Sequence, residues 1–355
     1  MTMPASFKDM PATNRRRFGA LTASAALLAF GLGASAPASA EDYVWSMVTN
    51  AAGLGDQGFN DLAKLGVETS AEKLGGKTLV IQSANQSQFV PNLQQAVDSG
   101  STVTTGVGFG IRDALTQVAI ANPDANFTLI DAVAVAADKN PLPNVASVTF
   151  REHEAAFLAG IAAAMTTKGS RVGFIGGMET PPVVRFLSGY EAGLHYVNPD
   201  LEVSVAFVGS FTEPAKAKEL ALGIYDLGAD LIMDVAGGGG RGIFDAAKSM
   251  GDGYWVIGVD TCKGQFAPDN FLTSAVKDVA GAVVLENTKA SESAFVGGAE
   301  SLGLKEGAVG LCQDNIDTLS PEIMAKVEAA TASILDGSMT VPSTEEELKS
   351  FTAGN

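Results

Sequence analysis

The sequence predicts an α/β protein of two lobes, each a parallel β-sheet with helices on both faces. Three observations carry that prediction. Apolar runs of strand length alternate with helical patterns along nearly the whole chain; the runs read as continuous Val/Ile/Leu/Phe stretches; and the chain is too long for a single core yet has no low-complexity linker. A strand covered on both faces needs apolar side chains on both, so continuity rather than in-out alternation is the expected signature.

In chain order, Tyr43 to Thr49 is the first expected strand, followed by a helix from Phe59 to Leu74 with Leu62, Leu65, Gly66 and Ala71 inside. Thr78 to Gln82, Thr102 to Gly106 and Asn126 to Asp131 read as strands, separated by helices over Phe89 to Asp98 and Ile111 to Ala121. Val145 to Phe150 then precedes a helix over Glu154 to Thr167. The alternation resumes with strands at Val172 to Ile175, Val203 to Phe207, Leu231 to Val235 and Trp255 to Val259. The helices between them span Phe186 to Val197, Glu213 to Leu227 and Gly242 to Met250. The last elements, strands at Leu272 to Val276 and Ala308 to Leu311 and helices at Val279 to Ser293 and Pro321 to Leu335, are too few for a third domain. They are expected to complete the two earlier sheets, which makes both lobes discontinuous.

Residues 1–40 read as a cleaved leader. Asn14-Arg15-Arg16-Arg17-Phe18 is a twin-arginine-type n-region, Gly19 to Gly33 is apolar but too short to span a bilayer, and Ala38-Ser39-Ala40 is a small-x-small cleavage site. No cysteine follows the apolar run, so no lipid anchor is expected, and the destination is the periplasm. The whole chain carries a formal net charge of −17, and without the leader's four basic and one acidic side chains this becomes −20. Such a surface repels nucleic acid and anionic lipid. Monomeric behaviour is expected.

The two cysteines, Cys262 and Cys312, both lie in the exported part, where an even count favours a disulfide over a thiol nucleophile or a metal pair. Neither His153 nor His195 has a cysteine partner at ligand spacing, so no metal site is expected. His153, among Arg151, Glu152 and Glu154, reads as a solvated residue at a helix start.

The stretch RVGFIGGMETPPVVRFLSGYEAG, Arg171 to Gly193, reads as a buried strand, a Gly176-Gly177 turn, a loop ending in Pro181-Pro182 and a helix. In an open parallel sheet such loops face the ligand crevice, which would place Met178 to Phe186 on its wall. Asp131, Asp234 and Asp260 each end an apolar strand. One such aspartate alone is most simply a helix cap, whereas several in one crevice would suit an uncharged or cationic polyhydroxyl ligand. The run GGGGRG at Gly237 to Gly242 reads as a loop whose backbone approaches a neutral ligand closely, with dinucleotide binding as a lesser alternative because Asp234 adds negative charge beside it. On the first loop, Ala51 to Asn60, Phe59 is either core or one half of an aromatic sandwich with Phe186 that could hold a flat base, and Asn60 offers a donor and an acceptor to a base edge.

The blocks DQGFN (56–60), NVASVTFREHEAAFLAG (144–160), VGFIGGMETPPVVRFLSGYEAG (172–193), AGGGGRGIFDAA (236–247) and VIGVD (256–260), in collinear order across the mature chain, resemble the basic membrane protein family. These are substrate-binding proteins of ABC importers of the purine-nucleoside-receptor type. The resemblance implies the type I periplasmic-binding-protein fold: two Rossmann-like lobes, three hinge crossovers and a cleft between the lobes. It places one lobe at 41–150 plus 262–308 and the other at 151–261 plus 309–355, with the later crossovers near 260 and 310 and a Cys262 to Cys312 bridge tying the hinge. It further implies that Phe59 and Phe186 stack a purine and that Asn60 and Asp131 read its edge. Gly238, Asp260 and Lys277 would hold the ribose hydroxyls, although Lys277 by sequence alone is an ordinary exposed lysine. No cofactor is implied. The partners are a small-molecule ligand, an ABC permease and its ATPase.

Two other functions use the same architecture. A periplasmic sensor would present a small polyhydroxyl ligand such as a sugar to a receptor, and a nucleoside-acting enzyme would need a base or nucleophile that no GxSxG or crevice histidine supplies.

Overall fold

The structure, a computed structural model, describes residues 42–314 and 318–351. The expected leader, residues 1–40, lies outside them. Two six-stranded sheets form, one from β1 (Val44–Val48), β2 (Lys77–Ile81), β3 (Val103–Val107), β4 (Phe127–Ile130), β5 (Val145–Phe150) and β11 (Gly298–Leu302), in the order β11-β5-β4-β3-β1-β2. The other holds β6 (Arg171–Gly176), β7 (Glu202–Phe207), β8 (Leu231–Val235), β9 (Trp255–Asp260), β10 (Phe271–Lys277) and β12 (Val309–Leu311), in the order β12-β10-β9-β8-β6-β7. The two orders match strand for strand, so the lobes are structural repeats: β1 corresponds to β6, β3 to β8, β4 to β9 and β5 to β10. All pairings are parallel except that of β10 with β12.

Helices cover both faces of each sheet. On the first, α1 (Phe59–Leu74) and α8 (Val279–Ser291) lie on one side, with α2 (Phe89–Asp98) and α3 (Arg112–Ala121) on the other. On the second, α4 (Glu152–Thr166) and α5 (Pro181–Val197) cover one face and α6 (Pro214–Asp226) and α7 (Arg241–Met250) the opposite one; α9 (Pro321–Leu335) packs on α4 and α10 (Glu345–Ser350) on α5. Strand burial explains the continuous apolar runs: β1, β3, β4 and β8 are buried at every position. Helix α4 is buried from Ala155 to Ala163 because it is wedged between sheet and helix, and its run of alanines keeps it thin enough to fit. Where α4 meets α5, a Cβ on Gly189 would come within 2.2 Å of the His153 carbonyl oxygen and one on Gly193 within 2.1 Å of that of Phe157. The two backbones therefore touch, and only glycine permits it.

Several expectations change. Strand β11, sequence GAESL, has no apolar run; it is an edge strand with alternating exposure, so burial never selected the pattern that marks the others. Of the expected inner residues of α1, Gly66 is buried and Leu62 and Ala71 pack partly buried against the core, but Leu65 is 51% exposed; Asn60, Ala63, Val67 and Ser70 complete the buried stripe. The prolines Pro181 and Pro182 do not end a loop. They occupy the first turn of α5, where proline's missing N–H costs nothing, after Thr180 in extended conformation.

The crossovers are also placed differently. The chain leaves the first sheet at Arg151, between β5 and α4. It returns only after Lys277, because β10 pairs with β9 and so belongs to the second sheet rather than to a first-lobe segment beginning at 262. The third passage lies between β11 and β12. Cys262 and Cys312 are disulfide-bonded, with Cα atoms 5.3 Å apart. Since Cys262 follows β9 and Cys312 follows β12, the bridge spans β10 and staples the edge of the second sheet instead of tying the hinge.

Candidate functional site

A cavity opens between the carboxyl ends of the two sheets, where parallel-sheet geometry puts ligands. The first lobe contributes Asn50, Asp56, Phe59, Asn60, Gly108, Phe109 and Asp131; the second contributes Met178, Thr180, Phe186, Phe211, Gly238, Asp260 and Lys277. The seven residues singled out from the sequence, Phe59, Asn60, Asp131, Phe186, Gly238, Asp260 and Lys277, thus all stand on one cavity wall or another.

Lys277 is the charge centre. It ends β10, is 3% exposed, and its Nζ donates to Asp131 Oδ2 at 2.8 Å. The same nitrogen lies 4.7 Å from the centroid of the Phe59 ring, 5.6 Å from that of Phe186 and 5.3 Å from that of Phe150, all within cation–π reach. Burial acts to lower its pKa, but the carboxylates of Asp131, Glu152 and Asp260 outweigh this and hold it above the ordinary lysine value. The exposed lysine expected from sequence is therefore a buried, permanently charged one. Strand registry does this, since as the last residue of β10 it points where the two sheets meet.

Asp131 and Asp260 are counterparts. Each directly follows or ends the third strand of its sheet, β4 or β9, and each has a left-handed backbone, φ 67° and φ 68° respectively. Aspartate tolerates that region better than most residues, and a non-glycine held there twice at equivalent positions marks a place where side-chain direction matters more than backbone comfort. Burial raises the pKa of Asp260, against the pull of Lys277 and Lys263.

Asp234 departs from its two neighbours in the sequence argument. It is fully buried behind the glycine run, where Oδ1 accepts from Ala236 N at 2.9 Å and Oδ2 pairs with Lys263 Nζ at 3.5 Å, away from the cavity wall. The glycines serve that burial. A Cβ on Gly240 would lie 2.2 Å from the Asp234 carboxylate, and one on Gly242 only 1.9 Å from the Pro214 carbonyl oxygen. Gly238 alone combines a cavity position with an approach to Asp56 across the lobes, its Cβ direction ending 3.6 Å from Asp56 Cα. Arg241 is turned out to solvent and stacks on Phe266 at 4.7 Å.

The first loop is built around Asp56. Its carboxylate accepts from the backbone N–H of Gly58, Asn60 and Asp61 and from Asn60 Nδ2. That arrangement caps α1 from outside and locks Phe59 at its first position. The loop also touches the other lobe, where Thr261 Oγ1 donates to the Gln57 carbonyl oxygen at 3.0 Å.

Sequence reasoning passed over two residues, Phe211 and Glu152, and misread a third, His153. Phe211 lines the cavity from the loop after β7, its ring seated where a Cβ on Gly177 would collide at 2.2 Å and its carbonyl accepting from Gly239 N. Glu152 is fully buried beneath Lys277 and pairs with Arg185 at 2.9 Å; burial pushes its carboxyl up to about 7, while Lys277 and Arg185 pull it down. The nearest signal was its place in the REHE run directly after β5. His153 is half-buried rather than solvated, with Nδ1 out of solvent contact, and burial takes its imidazole down to about 4.

The described residues contain one group with a metal-like arrangement of donors, Cys262, Cys312 and Asp314, and its two sulfurs are already joined to each other. Among the described residues no helix is long and apolar enough to cross a membrane.

Comparison with known proteins points one way. The family described as ABC transporter substrate-binding protein PnrA-like matches residues 44–345. The ABC transporter nucleoside-binding protein BmpA of Lactococcus lactis is 36% identical, over 84% of this chain and 88% of that protein. Basic membrane protein A of Borreliella burgdorferi is 33% identical, over 83% and 87%. A crystal structure of an ABC transporter solute-binding protein from Aeropyrum pernix superimposes with a TM-score of 0.78 at 28% identity, covering 87% of this chain and 96% of that one. An arabinose-binding protein from Geobacillus stearothermophilus, 15% identical with a TM-score of 0.60, shares the fold.

Proposed function

This chain belongs to the PnrA-like family of ABC-transporter substrate-binding proteins, and from that premise we propose that it captures a purine nucleoside, or a related nucleobase, and delivers it to the permease. The observation that carries the reading is the pair of aromatic rings, Phe59 from one lobe and Phe186 from the other, facing one cavity with Lys277 within cation–π reach of both. Aromatic stacking of a flat heterocycle contributes roughly 1 to 3 kcal/mol per base. Asn60 and Asp131 then meet the base edge, and Gly238, Asp260 and Lys277 meet the sugar hydroxyls. Carboxylates at Asp131 and Asp260 flank a single ammonium that is already paired, and Asp56 adds a third negative charge to the cavity wall, an environment suited to hydroxyls and N–H groups and hostile to phosphate.

Capture works by lobe closure. A ligand touching both walls contacts all of its partners only when the lobes are together, so it shifts an open–closed equilibrium by the difference in its affinity for the two forms. The closed protein docks as a monomer on the permease, in the periplasm, after export through the twin-arginine-type leader and without a lipid anchor. No step of bond making is assigned to it. The experiment is mass spectrometry of the small molecule released from protein purified without refolding, followed by calorimetry against nucleosides, free bases and simple sugars. Release and tight binding of a sugar, with no nucleoside affinity, would overturn the proposal.

A further inference from the structure

Asp56 to Gly58 form a turn that is fixed within the first lobe and seated against the second. Gln57 donates its backbone N–H to Asp61 Oδ2 at 2.9 Å, Gly55 donates to Oδ1 of the same carboxylate at 2.9 Å, and Asp56 Oδ1 accepts from Gly58 N at 3.1 Å. Asp61 stands in the first turn of α1, so the helix itself holds the turn in place. It does so with Gln57 at φ 48°, in the left-handed region that a residue of this kind seldom adopts. The tip of the turn meets two loops of the second lobe. A Cβ on Gly58 would lie 3.3 Å from Asp260 Oδ2, Gly238 approaches Asp56 from the glycine run, and Thr261 Oγ1 donates to the Gln57 carbonyl oxygen at 3.0 Å. Asp260, directly before Thr261, is also left-handed, so a strained non-glycine backbone stands on each side of one cross-lobe hydrogen bond.

Neither Gln57 nor Thr261 lines the cavity, although their neighbours Asp56 and Asp260 do. A bond between the two exists only while the lobes are together, so it stabilises the closed form and adds nothing to the recognition of what is held. Such a contact acts on every ligand alike, because it multiplies the one open–closed equilibrium constant that all of them share. We propose that Thr261 is a positioning residue for capture, its hydroxyl latching the second lobe onto the Gln57 carbonyl and slowing ligand release without touching the ligand. The bond must be broken before the lobes part and is not yet made when ligand enters, so its effect falls on dissociation rather than on association. The inference rests on the reading of nucleoside capture by lobe closure given above and deepens it.

The test compares the purified protein with Thr261→Val, which keeps the shape and loses the donor, and Thr261→Ser, which keeps the donor. Calorimetry gives the affinities for adenosine, guanosine and inosine, and stopped-flow mixing gives the rates. Thr261→Val is expected to release each bound nucleoside about fivefold faster, the equivalent of about 1 kcal/mol, with association within about twofold of the parent. Its affinities for the nucleosides should fall by a common factor, and Thr261→Ser should return release to within about twofold of the parent. If Thr261→Val releases ligand less than about twofold faster, there is no latch, while the nucleoside reading stands. A change of more than about threefold in the ratios of the affinities would show that Thr261 reads the ligand, and an equal loss in Thr261→Ser would show that shape and not the hydroxyl matters; either result overturns the assignment. If none of the three nucleosides binds the parent protein, the nucleoside reading itself fails and takes the inference with it.

Discussion

Lys277 Nζ and Asp131 Oδ2 meet at 2.8 Å across the cleft, the lysine ending a strand of one sheet and the aspartate following a strand of the other. Both are almost fully buried, so the pair joins the lobes at the cavity proposed to take the ligand. Breaking a buried pair leaves a charge without compensation, whereas replacing both members removes the desolvation cost together with the attraction.

Lys277→Met is therefore expected to lower the unfolding free energy of the ligand-free protein by about 3 kcal/mol, and Lys277→Met/Asp131→Leu to recover most of that loss. Urea denaturation measures both. A single variant as stable as the parent would show that the pair is solvated in solution.

Stacking is tested at Phe186, which is 3% exposed and lines the cavity from α5. Phe186→Ala should weaken nucleoside binding by about 1 to 3 kcal/mol by calorimetry. Binding as tight as that of the parent would remove the ring from the site.

The disulfide joins two residues of the second lobe at a sequence separation of 50, and the loop it closes passes through α8 and β11 of the first lobe. Thiol titration of denatured, unreduced protein should find no free thiol. Cys262→Ser/Cys312→Ser should cost about 2 to 4 kcal/mol of stability, and because the bridge staples a sheet edge rather than the hinge, ligand affinity should stay within about twofold of the parent. A large affinity change with little change in stability would restore the hinge role.

Glu152 and His153 predict opposing pH dependences. The folded pKa of Glu152 is raised from 4.5 to about 7, chiefly by burial, so its contribution to stability is fully present below pH 4.5 and is lost as pH rises toward 7. His153 is depressed from 6.5 to about 4, again by burial first and then by Arg185 and Arg151, so its contribution is present above pH 6.5 and is lost as pH falls toward 4. Glu152→Gln removes the first effect and uncovers the second. Between pH 4.5 and 7 the variant's stability should rise with pH more steeply than the parent's, by on the order of 1 to 3 kcal/mol across the window. Parallel curves from urea unfolding at several pH values would refute the placement of Glu152 as a desolvated acid.

Much of the architecture was legible in the residues themselves. A strand covered on both faces has no polar side to show, so β4, β8 and β9 announce themselves as FTLI, LIMDV and WVIGVD, and the glycines and aspartates that follow mark the ligand side of a parallel sheet. Phe59, Asn60, Asp131 and Asp260 stand out for that local reason, each at a strand end or helix start that faces the crevice. Edge strand β11 and short helix α10 lack such a signal because burial made no demand on their composition.

What local pattern does not carry is which strand end meets which across the molecule. Asp131, Asp234 and Asp260 look alike in sequence, yet two line the cavity and the third is sealed behind the glycine run against Lys263, a difference created by the close approach of α6 and α7. Lys277 reads as a surface residue until β10 pairs with β9 and carries it beneath two aromatic rings. The sequence by itself determined the alternating elements, the paired sheets and the loops facing the crevice, because these follow from hydrophobic period and turn chemistry over a few residues. Only the tertiary structure decided the burial of Lys277, the desolvation that raises the pKa of Glu152 and the unpaired acceptors of Asn60 and Asp131, because desolvation and hydrogen-bond accounting depend on neighbours brought together from distant parts of the chain.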